Sequence, residues 1–93
     1  MNTKVYRLEK RPNELYFTNY DRAPENELFL HVSEVLRSCD DIEIKEKEFY
    51  PVEDIYPCKM GKKEFSLVYD IDYGPFIHSN DKNVLDRIAK LFD

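Results

Sequence analysis

Little in this sequence is set aside for special chemistry. It has two glycines, two cysteines and no apolar run longer than a few residues, and its bases are outnumbered by its acids. With so little glycine there is no phosphate-cradling loop, and the GxSxG and HExxH patterns are missing as well. Cys39 and Cys58 are too few for a disulfide framework and show no CxxC or Cys/His zinc spacing. Two reduced thiols and no structural metal are therefore expected. No stretch approaches the roughly 20 apolar residues needed to cross a bilayer. The segment MNTKVYRLEKR also lacks the apolar centre of a secretory signal, so a cytoplasmic location is expected. Fourteen Lys and Arg against 19 Asp and Glu give a net charge of −5. That balance disfavours nucleic acid and anionic membranes, whose binding rests on neutralising phosphates, and favours a basic protein partner.

What is present is the composition of a folded domain, 42% hydrophobic and 14% aromatic. Ninety-three residues suffice for one core, so residues 1–93 are read as a single domain with no bound cofactor. The clearest element is the stretch from Lys63 to Ile77. Phe65, Leu67, Tyr69, Ile71 and Tyr73 alternate, which places all five on one face of a strand. Ser66, Val68, Asp70 and Asp72 fall on the other, and Gly74-Pro75 is expected to stop the strand.

Two helices are predicted near residues 24–39 and 80–92. Pro24 suits a first helical turn, and Leu28, Val32, Val35, Leu36 and Cys39 recur at helical spacing. Ser79, Asn80 and Asp81 offer caps for the second helix, whose apolar stripe is Val84, Leu85, Ile88, Ala89 and Phe92. Lys4–Lys10 and Glu14–Tyr20 read as a hairpin about a turn at Arg11-Pro12-Asn13. In the segment Asp41–Tyr50, Ile42 and Ile44 share a parity that Phe49 breaks, which calls for a bulge or twist near Glu46 or for an early end to the strand. Val52–Met60, interrupted by Pro57, reads as a short or edge strand. The expected fold class is α+β: a mainly antiparallel sheet of four to five strands in the order ββαβ(β)βα, with both helices on one face. Phe65, Leu67, Tyr69, Ile71, Leu28, Val32, Leu36, Val84, Leu85 and Ile88 form the expected core.

Two constellations carry candidate chemistry. Residues 40–54 hold seven acids and two lysines, a local excess equal to that of the whole chain. Glu43, Glu46, Glu48, Tyr50, Glu53 and Asp54, joined by Asp70 and Asp72, are the expected contacts for a basic partner, because carboxylates and tyrosines suit such an interface. In its concrete form this is an inhibitor or immunity-type protein that plugs the cationic cleft of a nuclease toxin, and an unrelated scaffold or regulatory domain is one alternative. Another is a small metal-dependent or acid–base enzyme that uses Asp70, Asp72 and His78. No nucleophile, base and orienter are recognisable as a set, so a non-enzymatic role is expected. Lys4, Arg7, Lys10 and Arg11 with Tyr6 and Tyr16 could stack on single-stranded nucleic acid, but solvated strand positions explain them more simply.

Overall fold

The computed structural model describes residues 2–92. Its elements in chain order are β1 (Thr3–Leu8), β2 (Arg11–Asn19), α1 (Glu25–Arg37), β3 (Ile42–Ile44), β4 (Glu48–Phe49), β5 (Glu53–Met60), β6 (Lys63–Asp70), β7 (Gly74–His78) and α2 (Lys82–Lys90). The α+β class and the antiparallel sheet agree with the sequence reading. The strand count does not. Among the described residues one sheet holds seven strands, not four or five, in the spatial order β1-β2-β7-β6-β5-β3, with β4 also beside β5.

Both helices lie within two residues of their expected ends. Asp81 caps α2 by accepting from the amide of Asn83. Pro24 stands at the cap of α1, where its carbonyl accepts from Glu27 and Leu28. The two helices pack on the same sheet face. Leu28, Val32 and Leu36 of α1 and Val84, Leu85 and Ile88 of α2 meet Leu15, Phe65, Leu67 and Ile77 of the sheet in one buried cluster. The opposite face has a smaller cluster of its own, Tyr16, Val68 and Phe76 with Ile55.

This second cluster corrects the reading of the Lys63 strand. Its alternation holds from Phe65 to Tyr69, but Val68 and Asp70 are buried too. The strand ends at Asp70, four residues before the expected stop, and residues 71–73 form a turn. Ile71, assigned to the core, is 70% exposed in that turn. Gly74 and Pro75 do not stop a strand; they open β7. Gly74 has φ +69, a conformation an L side chain seldom adopts.

Two further corrections concern strands beside proline. The first hairpin turns at Glu9-Lys10, so Pro12 lies in β2. Strand β5 is neither short nor at the edge: it runs eight residues, with β6 on one side and β3 and β4 on the other. Pro57 is tolerated because of where its missing donor points. Its carbonyl accepts from Lys45 at 2.9 Å, and the N and O of one strand residue face the same way. The missing N–H therefore faces residues 45–47, where β3 has ended and β4 has not begun. The strand thus ends early, at Ile44, and after the break Phe49, opposite Asp54, returns to the parity of Ile42 and Ile44.

Candidate functional site

One end of the sheet carries the densest set of exposed apolar and acidic side chains. Two turns meet there. The β4–β5 turn is closed by the amide of Tyr50 donating to Glu53 O at 3.1 Å, and the amide of Ile71 in the β6–β7 turn donates to Val52 O at 2.9 Å. Asp70 shapes the second turn, since its Oδ1 accepts from the amides of Asp72 at 2.7 Å and Tyr73 at 3.0 Å. With the backbone so fixed, Phe49 (76%), Ile71 (70%), Val52 (57%) and Tyr50 (49%) stand out in water. A shallow groove between the turns is lined by Tyr50, Pro51, Val52, Glu53, Asp54, Tyr69 and Ile71.

Carboxylates ring this tip. Glu48 accepts a hydrogen bond from the Tyr50 hydroxyl at 3.3 Å, and Asp72 is exposed in its turn. Asp54 is 3.6 Å from the Lys47 ammonium, which also sits 4.4 Å over the Phe49 ring. Glu53 and Asp70 face each other across β5 and β6. Burial pushes Glu53 up, as do its hydrogen bond to Asp70 and the Asp70 charge. Burial would push Asp70 up too, but the amides of Tyr73 and Asp72, the Glu53 side chain and the Arg11 charge outweigh it and hold it below the usual range. A proton shared by this pair therefore belongs to Glu53. The Tyr50 phenol is pushed up, first by the charge of Glu48 and then by its hydrogen bond.

Of the eight expected contact residues, the tip gathers Glu48, Tyr50, Glu53, Asp54, Asp70 and Asp72. Asp70 is buried and committed to its turn, so it holds the surface in shape instead of forming it. Glu43 lies apart, opposite Lys59 and four residues along β5 from Ile55, the partner of Glu48. Glu46 is exposed in the break between β3 and β4.

Asp70, Asp72 and His78 do not converge. Asp70 pairs with Gly74, whereas His78 pairs with Ser66, four residues away on both strands and so about 13 Å along the sheet. Among the described residues no group of three or more His, Cys, Asp or Glu side chains could hold a metal ion. The Cys58 thiol is pushed up to about 11 by burial and donates to the Tyr56 carbonyl.

A polar network missed by sequence reasoning lies beside the tip. The Arg11 guanidinium sits 4.7 Å from the Tyr73 ring centroid and 5.7 Å from those of Tyr16 and Phe76. It pairs with Glu14, which also accepts from the Tyr16 hydroxyl at 2.7 Å and lies 3.5 Å from Nδ1 of His78. Its hydrogen bond to Glu14 raises Arg11, and burial pushes the Tyr16 phenol well up. Tyr16 is fully buried, so it is no stacking platform. Arg11, Glu14 and Tyr16 are near neighbours along β2, but only the pairing of β2 with β7 brings Tyr73, Phe76 and His78 to them, and nothing local in the sequence signals that pairing.

No described helix is long and apolar enough to cross a membrane. Compared with known proteins, the chain matches no family model, no curated protein and no solved structure.

Proposed function

We propose that this protein is a small cytoplasmic interaction module, not an enzyme, and that it docks through the tip onto a basic protein. The observation that carries the reading is the exposed set Phe49, Tyr50, Val52 and Ile71 within a ring of Glu48, Glu53, Asp54 and Asp72. Exposed apolar side chains with a polar rim are the anatomy of an interface, and aromatic residues supply much of its binding energy. An acidic rim selects a cationic partner and speeds the encounter. Backbone hydrogen bonds within and between the turns preorganise the surface, which lowers the ordering cost of binding. In its specific form the proposal is an inhibitor or immunity-type protein whose carboxylates stand in for phosphates in the cleft of a nuclease toxin.

Affinity capture from the source cell tests the reading. A Glu48→Lys/Asp72→Lys variant should lose the captured basic partner, and Ile71→Ser, which adds no charge, should weaken its capture with little change in salt dependence. Glu43→Lys, away from the tip, should keep it. Equal retention by all three folded variants refutes the proposal.

A further inference from the structure

A second concavity crosses the uncovered sheet face at the end away from the tip. Its floor follows from the ladder: Pro57 lies opposite Ser66, and Ser66 opposite His78. On that face the neighbouring rows are Ile55, Val68 and Phe76 on one side and Lys59 with Glu64 on the other. Two short side chains between rows of long ones leave a trough. Lys45, Lys59, Glu64, Ser66, His78 and Asn80 line it. Lys45 is brought there by its backbone bond to Pro57, at the break where β3 ends. Among the described residues neither Lys45 nor Lys59 has an ion-pair partner, although Lys47 and Lys63 are paired with Asp54 and Asp81. Two unpaired ammonium groups, a hydroxyl and a carboxamide thus share a concave site on a chain whose net charge is −5.

We propose that this trough binds a phosphate-type oxyanion. The ammonium groups of Lys45 and Lys59 supply the charge, and the Ser66 hydroxyl and Asn80 amide donate to oxygens on the anion. A cleft with low-dielectric walls concentrates the field of its charges, which favours an anion here over the open surface. Glu64 on β6 and Glu43 on β3, both opposite Lys59, oppose the anion and limit its affinity. The site is independent of the docking tip and lies at the other end of β5 and β6.

Inorganic phosphate titrated into the isotope-labelled protein, followed by amide NMR, tests this. Saturable shifts are expected at Ser66, His78 and Asn80. Lys45→Gln and Lys59→Gln should each weaken binding roughly tenfold, the worth of one charge-assisted hydrogen bond, and Glu64→Gln should tighten it. Lys82→Gln, outside the trough, should change nothing. O-phosphoserine in a parallel titration separates the sources: tighter binding than inorganic phosphate assigns a phosphorylated side chain as the ligand, and weaker binding assigns the free ion. Shifts that never saturate, or a loss with Lys82→Gln equal to that with Lys59→Gln, overturn the proposal, because both mark unspecific attraction to lysines.

Discussion

Asp70 directs its carboxylate at two backbone amides, and Glu53 beside it is left with the less favourable position. The two acids therefore give opposite pH dependences. Glu53 is raised by folding, so its contribution is fully present below its unfolded pKa and is lost as pH rises through the folded value. Asp70 is lowered, so its contribution is present above the ordinary Asp range and is lost as pH falls through the folded value. Glu53→Gln keeps a hydrogen-bond donor for Asp70 and removes the repulsion. Its melting temperature should exceed that of the wild type at pH 7, and the gain should vanish below about pH 4, under the ordinary glutamate range, where Glu53 carries its own proton. Asp70→Ala leaves two turn amides without their acceptor and should cost about 2 kcal/mol in urea unfolding. A Glu53→Gln protein no more stable at pH 7 than at pH 4, relative to the wild type, rules out this account of the pair.

Among the elements, strand β6 was legible as far as Tyr69 because its signal is local. The alternation from Phe65 to Tyr69 survives in the structure, and the hairpin before it turns at Gly61-Lys62. Gly61 has φ +61 and open space around its Cα, so a methyl group there meets strain from the backbone alone. Gly61→Ala should cost about 1 kcal/mol, and Gly61→Asn less, since Asn tolerates this region better. Chemical denaturation of the two variants checks the order; equal stabilities would mean the turn relaxes freely. Strand β5 was misjudged because the penalty at Pro57 depends on the neighbour its nitrogen faces, and that neighbour is a gap. Ile71 was misjudged because the same apolar parity continues past Asp70 even though the chain turns there.

For the molecule as a whole, the decisive contact is β2 against β7, which ties the first hairpin to the last strand. Ile77 is fully buried between Leu15 of β2 and Leu67 of β6. Ile77→Ala should destabilise by about 3 kcal/mol through lost burial and the cavity left behind. Tyrosine fluorescence and far-UV circular dichroism should still report one coincident transition, and two separate ones would mean the N-terminal hairpin stands alone. The sequence by itself determined the α+β class, both helices, the apolar stripes that face them and the acidic excess of residues 40–54. These rest on periodicity, capping and composition, which act within a few residues. Only the tertiary structure decided the seven-stranded order, the burial of Val68 and Asp70, the placing of Tyr73, Phe76 and His78 against Arg11, Glu14 and Tyr16, and the meeting of two distant turns at the tip. Each depends on which strands lie side by side, and strand pairing across long loops is set by the total burial of the folded chain, not by any local pattern.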